Sequence, residues 1–248
     1  MEKISSKQNE KIVKAKKLLD KKGREQTNSF LIETEKVIKE ALNCGLSPKC
    51  FYVLEEKSFD FVSKQDVPVY CLTPAVFKEI STLVTPDGII AEFQKPNNKK
   101  EYVGGKFLIL DNLQNPDNFG AIMRTAVASD FKQIYAINCV DRFNSKVIRA
   151  SMGNQFRLNI CDIEVDDIKK MFDGATIYTA SMEGKNLFDI NKFEKNVGIV
   201  IGNEGNGVSE QVRKLVDNTI AIPMENGIES LNAAVSAGII MYYIYSKQ

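Results

Sequence analysis

The 248-residue sequence predicts an α/β protein built on a mostly parallel sheet, with a smaller α/β domain ahead of the main one. Three observations carry this. Short apolar runs such as Lys106 to Leu110 and Val197 to Ile201 fit strands covered on both faces, as parallel sheets require. Helical segments alternate with these runs, which is the pattern of βαβ units. A polar stretch containing Pro96 and the pair Gly104-Gly105 interrupts the alternation and divides the chain. The expected parts are an N-terminal domain over 1–95, a linker over 96–105 and a C-terminal domain over 106–248.

The elements follow in order. Ser6 to Lys22 reads as one helix, with Ile12, Val13, Ala15, Leu18 and Leu19 on an apolar stripe and lysines on its other faces. Strands are expected at Phe30 to Glu33, Lys49 to Leu54, Val67 to Leu72 and Ile89 to Phe93, and a helix at Glu35 to Asn43. Thr73 before Pro74 reads as an N-cap with proline at the first helical position, opening a helix to Ile80. Beyond the linker, strands are expected at Lys106 to Leu110, Ile134 to Asn138, Ile177 to Ala180, Val197 to Ile201 and Ile220 to Ile222. Helices are expected at Ala121 to Ser129, Ser145 to Ser151, Ser209 to Val216 and Ser230 to Ser246. The last is to start from a Gly227 turn with Ser230 as its N-cap. It is apolar on most faces, so it must be buried in a core or against a second subunit.

Composition narrows the chemistry. Lys and Arg total 33 against 32 Asp and Glu, for a net charge of +1. The balance is uneven, since residues 1–24 alone hold nine basic and three acidic side chains. The lysine face of the first helix is therefore a candidate phosphate-facing surface. There is no histidine, which excludes Ser-His-Asp triads, Cys-His dyads and histidine-ligated metals. The five cysteines are scattered and form no CxxC pair, as expected of reduced thiols, and no metal site is expected. No secretory leader and no membrane span is expected, and a cytoplasmic protein is the reading.

Three segments share the design of strand, polar or glycine-rich loop, and helix. Leu110 to Ala126 places Asn, Asp and Pro before a helix carrying Arg124. Gly198 to Glu210 carries Gly202, Gly205 and Gly207 in the order GxxGxG, not the GxGxxG of a dinucleotide site. Val208-Ser209 follows where a P-loop needs Lys-Ser/Thr, and Glu204 would repel phosphates. Ile222 to Gly238 leads through Ser230 and Asn232 into the last helix.

Together these segments resemble the motifs of the SpoU (TrmH-type) RNA ribose 2′-O-methyltransferases of the SPOUT superfamily. Asn118-Phe-Gly-Ala-Ile-Met-Arg-Thr-Ala126 fits the first motif, Gly202 to Gly207 the second and Ser230-Leu231-Asn232 the third. Lys146 to Gly153 resembles the family's intermediate element. The N-terminal region resembles the small ribosomal-protein-like domain that binds RNA substrate. Thr34 and Asp130 stand where the family often has glycine, and Asn154 replaces a frequent alanine.

The resemblance implies a deep trefoil knot in the C-terminal domain and a homodimer formed through that domain. It implies S-adenosyl-L-methionine as cofactor, held by Ile201, Gly202, Asn203, Gly207, Ile222, Met224, Ser230 and Leu231. It makes Arg124, Asn118, Glu204, Ser230 and Asn232 the catalytic set. The expected reaction is methylation of a ribose 2′-hydroxyl in a structured RNA, with 23S ribosomal RNA ahead of tRNA. A non-catalytic RNA-binding protein on the same fold is the alternative from another class. Without histidine the usual base near neutral pH is missing. A guanidinium stays protonated, so Arg124 reads as a donor to the developing alkoxide and an anchor for the flanking phosphate.

Overall fold

The computed structural model describes residues 2–225 and 230–248. They form two compact units, one of residues 2–97 with 141–156 and one of residues 98–140 with 157–248. The expected turn at Gly227 lies outside the described residues.

The first unit opens with β1 (Glu2–Ile4), α1 (Glu10–Lys17), α2 (Lys21–Thr27), β2 (Ser29–Glu33) and α3 (Glu35–Asn43). It continues with β3 (Pro48–Leu54), β4 (Val69–Leu72), α4 (Pro74–Phe77) and β5 (Ile89–Gln94). The chain then runs through β6 (Lys106–Asp111), α5 (Pro116–Ala128) and β7 (Gln133–Ile137) of the second unit. It returns to the first unit for α6 (Ser145–Ser151). The second unit is completed by β8 (Asn159–Asp162), α7 (Asp167–Met171), β9 (Thr176–Asn186), β10 (Val197–Ile201), α8 (Glu210–Arg213), β11 (Asn218–Ala221) and α9 (Ala233–Ser246).

The first unit has a mixed sheet in the order β1-β4-β3-β5-β2. Only β5 runs antiparallel, against both β3 and β2. Alternate residues feed two cores, as the two-residue strand period demands. Phe30, Ile32, Phe51 and Val53 face one side with Val37 and Ile38 of α3. Leu31, Tyr52 and Leu72 face the other with Ile12, Ala15 and Phe77. Phe143 and Ile148 of the returning segment join the first of these cores. The buried Arg24 guanidinium pairs with Asp141 of the same segment at 2.7 Å.

The second unit has a wholly parallel sheet in the order β11-β9-β10-β6-β7-β8. Phe107, Ile109, Tyr135 and Val200 face α7 and α8, packing on Phe172 and Val212. The intervening residues Leu108, Leu110, Ile199 and Ile201 are equally buried on the opposite face. The helices α5 and α9 pack on each other.

Several elements differ from the expectation, each for a local reason. The expected helix over 6–22 is two helices. Asn9 caps the first through Lys11 N–H, and Arg24 takes the carbonyls of Leu18 and Leu19 at 2.8 Å, which ends it. A side chain at Gly23 would collide with the Lys17 carbonyl, so the sharp turn requires glycine there. The helix expected from Ala121 begins at Pro116, because the Asn115 carboxamide accepts from Asp117 N–H and Asn118 N–H. The residues read as a loop before Arg124 are thus its first turn. The last helix is capped by Asn232, not Ser230, since the Asn232 oxygen accepts from Ala234 N–H and Val235 N–H. The helices from Pro74 and from Ser209 are a single turn each. The strands β1 and β8 and helix α7 were not anticipated.

Candidate active site

Parallel strands end on one edge of their sheet, and loops at the carboxyl ends are where ligands bind. The strands β6, β10 and β11 deliver the three motif segments to that edge.

The loop after β10 is shaped by its own backbone. Asn203 and Gly207 exchange both N–H···O bonds at 2.9 Å, closing a tight ring. The Asn203 side-chain oxygen accepts from Gly205 N–H at 2.9 Å and Asn206 N–H at 3.2 Å. A methyl group at Gly202 would strike the backbone of Gly207 and Val208, and Gly207 has φ +65°. Glycine is therefore required at both positions. The N–H groups of Asn203, Gly205, Asn206 and Gly207 are thus used within the loop and are not turned outward as a phosphate cradle would need. The fully buried Asp111 at the end of β6 accepts from Ser209 N–H at 2.6 Å and anchors the far side of the loop. The Asn203 amide also donates to the Asn112 carbonyl at 2.9 Å. Neither Asp111 nor Asn115 was expected in this role. The only signal was an acid closing an apolar run and an asparagine before proline.

A directional chain of amides links the three segments. The Asn232 oxygen is committed to the start of α9, so its amide nitrogen is the end left to donate. It donates to the Asn118 oxygen at 2.9 Å. That fixes the Asn118 amide, whose nitrogen donates to Glu204 Oε1 at 3.0 Å. Asn118 itself is buried on the first turn of α5. Burial pushes the Glu204 carboxyl up, but the Asn118 amide and backbone N–H groups around it outweigh this and hold it below the usual range. Glu204 is thus an ionised acceptor near neutral pH.

A cleft of about 580 Å³ opens beside this chain. All eight residues expected to hold the cofactor line it: Ile201, Gly202, Asn203 and Gly207 on one loop, and Ile222, Met224, Ser230 and Leu231 on the next. Glu204 lines it as well. Ala180 to Met182 form a further wall. There β9 departs from its pairing with β11, whose register jumps between Thr219 and Ile220. That wall was not anticipated, because strand periodicity carries no sign of a break in pairing.

Arg124 is not brought to the cleft. It stands exposed, eight residues along α5 from Pro116, and six residues turn it about 240° around the helix from Asn118. Among the described residues it has no hydrogen-bond or ion-pair partner. No group of three or more acidic or cysteine side chains placed to hold a metal occurs among the described residues. No helix among them is long and apolar enough to cross a membrane.

The glycine loop, the amide chain and the cleft lie inside a stretch, residues 105–242, that matches the SpoU rRNA methylase family. The chain belongs to this family. Residues 9–91 match the MRM3-like substrate-binding domain. Among relatives, the 23S rRNA (guanosine(2553)-2′-O)-methyltransferase RlmP of Bacillus subtilis is 31% identical, over 98% of this chain and 99% of its own length. A solved RNA 2′-O ribose methyltransferase is 25% identical with a TM-score of 0.82, covering 99% of this chain and 98% of that one. The SpoU methyltransferase AviRb from Streptomyces viridochromogenes, solved with AdoMet, shares the fold. It is 21% identical with a TM-score of 0.89, over 96% of this chain and 98% of its own. This SpoU methylase is accordingly an RNA methyltransferase.

Proposed function

We propose that this chain methylates a ribose 2′-hydroxyl of 23S ribosomal RNA, with the cleft as its cofactor site. The observation that carries the reading is the chain of amides from Asn232 through Asn118 to Glu204, which ties three separate segments together at the cleft. The fit to the cofactor is physical. Ile201, Ile222 and Leu231 offer apolar walls for an adenine, and the glycine loop lets backbone approach closely. An anionic Glu204 and the lack of a phosphate cradle suit a cation without phosphate. When bound, S-adenosylmethionine supplies an activated sulfonium methyl group.

The chain's own residues then have these tasks. Glu204, fixed through Asn118, accepts a hydrogen bond from a ribose hydroxyl and sets its position. Ser230 and Leu231 border the cofactor side of the cleft, and Asn232 holds that segment to α5. Arg124 donates to the oxygen as negative charge develops on it and grips the neighbouring phosphate. Because Arg124 stands away from the cleft of its own chain, the reading includes a homodimer in which the exposed side of α5 meets the RNA at the subunit junction. The exposed Val235, Tyr242 and Tyr245 of α9 support such an interface. The trefoil knot belongs to the same reading and rests on likeness to solved relatives across nearly the whole chain. The first unit serves as the RNA-binding part.

The test is methyl transfer from labelled S-adenosylmethionine to RNA from cells lacking this protein. Label in 23S ribosomal RNA is expected. Label in tRNA alone would remove the ribosomal assignment, and label in neither would remove the activity.

A further inference from the structure

Among the described residues, two charged side chains line the cleft, Glu204 and Arg213. Glu204 is committed to Asn118 and to Asn115 N–H. Arg213 is not committed: among the described residues nothing accepts from its guanidinium. Yet its backbone is well anchored. The N–H of Arg213 donates to the Ser209 carbonyl at 2.9 Å, its neighbour Val212 is fully buried, and Ser209 N–H is tied to Asp111. The guanidinium rests beside the bare face of Gly207, where an added methyl would sit 3.4 Å from Nη2. The rest of the lining is apolar side chain, hydroxyl, amide and backbone. Among the described residues the cleft wall thus offers one uncommitted cation within the glycine-loop region.

We propose that Arg213 binds the α-carboxylate of the amino-acid part of S-adenosylmethionine, an inference that rests on the cleft being the cofactor site. A planar guanidinium matches a carboxylate with two parallel hydrogen bonds. The amino-acid end is also the one zwitterionic part of the cofactor, and it meets a wall bearing a cation and an anion. A phosphate of RNA would meet Glu204 on the same wall, which disfavours it there.

The experiment is calorimetric titration of the full chain with S-adenosylhomocysteine, which keeps the carboxylate, and with 5′-methylthioadenosine, which lacks the whole amino-acid end. For Arg213→Ala, affinity for S-adenosylhomocysteine should fall about tenfold or more, with 5′-methylthioadenosine unchanged and the melting temperature preserved. Arg213→Lys should recover part of the loss. Unchanged S-adenosylhomocysteine affinity, or equal loss of both ligands, overturns the role of Arg213 while leaving the cofactor site standing. Failure of the unsubstituted chain to bind either ligand overturns the cofactor site, and this inference with it.

Discussion

Thr34 has φ +83° and Asp130 φ +63°, and these are two of the positions where the resemblance calls for glycine. The sequence showed that each departs from the pattern; the backbone shows why glycine is preferred there. A β-branched residue at positive φ is strained by about 1–3 kcal/mol, whereas aspartate tolerates the left-handed region. Thr34→Gly should therefore stabilise the protein by about 1 kcal/mol in chemical denaturation. Asp130→Gly should give no such gain, because it loses the ion pairs to Lys106 and Lys132. At the site, Asn118→Asp would set a carboxylate against Glu204 where an amide now donates. Methyl transfer should fall about 100-fold in single-turnover assays, and Asn118→Gln should be less harmful. Glu204 gives a pH dependence of definite sign. Its carboxyl is held below the ordinary 4.5, so its contribution to the site is complete above pH 4.5 and is lost as pH falls through the lowered value. A pH series of thermal melts, comparing the native chain with Glu204→Gln, should show a constant separation above pH 4.5 that closes as pH falls below it. That Asn118, Glu204 and Asn232 belong to one cluster was legible in the sequence motifs, but their orientation, and the parts of Asp111 and Asn115, were not. Which end of each amide donates follows only from Asn232 being used as a cap.

At the scale of elements, caps decided what periodicity could not. The apolar stripe from Ile12 to Leu19 is continuous with one helix, and nothing in it signals that Arg24 turns back onto the carbonyls of Leu18 and Leu19. Asn115-Pro116 is a strong helix start, yet the polar residues after it hid the first turn of α5. Asn232 has a double task, capping α9 and holding Asn118. Asn232→Ala should cost about 1 kcal/mol of stability from the cap and a larger loss of turnover. Asn232→Ser should restore much of the stability but little of the turnover. Equal recovery of both would show that the cap is all that matters. The lysine face of α1 also changes meaning. Lys7 and Lys16 pair with Glu79, and Lys11 pairs with Glu2. The Lys16 and Lys7 ammonium groups hold the Glu79 carboxyl down to about 2. Lys14 and Lys17 carry no ion pair among the described residues, so they are the cations of α1 available to a phosphate backbone. Lys14→Glu with Lys17→Glu should weaken RNA binding and flatten its salt dependence, while Lys7→Ala should change neither.

The whole molecule is divided less simply than a cut near residue 100 suggests. The strand-and-helix alternation and the parallel sheet were readable, because apolar runs buried on both faces leave a clear trace. The return of residues 141–156 to the first unit was not, since a core contact between distant segments has no local signature. Phe143 and Ile148 complete a core built from residues 30–93, and Asp141 neutralises the buried Arg24. A fragment of residues 98–248 should therefore expose Phe143 and Ile148 and melt well below the full chain. A fragment of residues 1–97 should suffer from an unpaired buried arginine. Equal melting temperatures for the 98–248 fragment and the full chain would refute this division. The central claim is that the cleft and its amide chain serve methylation of a ribose 2′-hydroxyl in ribosomal RNA. Its most direct test is mapping of 2′-O-methyl nucleotides in 23S ribosomal RNA, by resistance to alkaline cleavage, in cells with and without the protein. One position should become alkali-sensitive on deletion. It should regain resistance with the native protein and remain sensitive with Arg124→Ala, whose S-adenosylhomocysteine affinity should match that of the native chain. An unchanged 2′-O-methyl map on deletion, or full restoration by Arg124→Ala, would contradict the account.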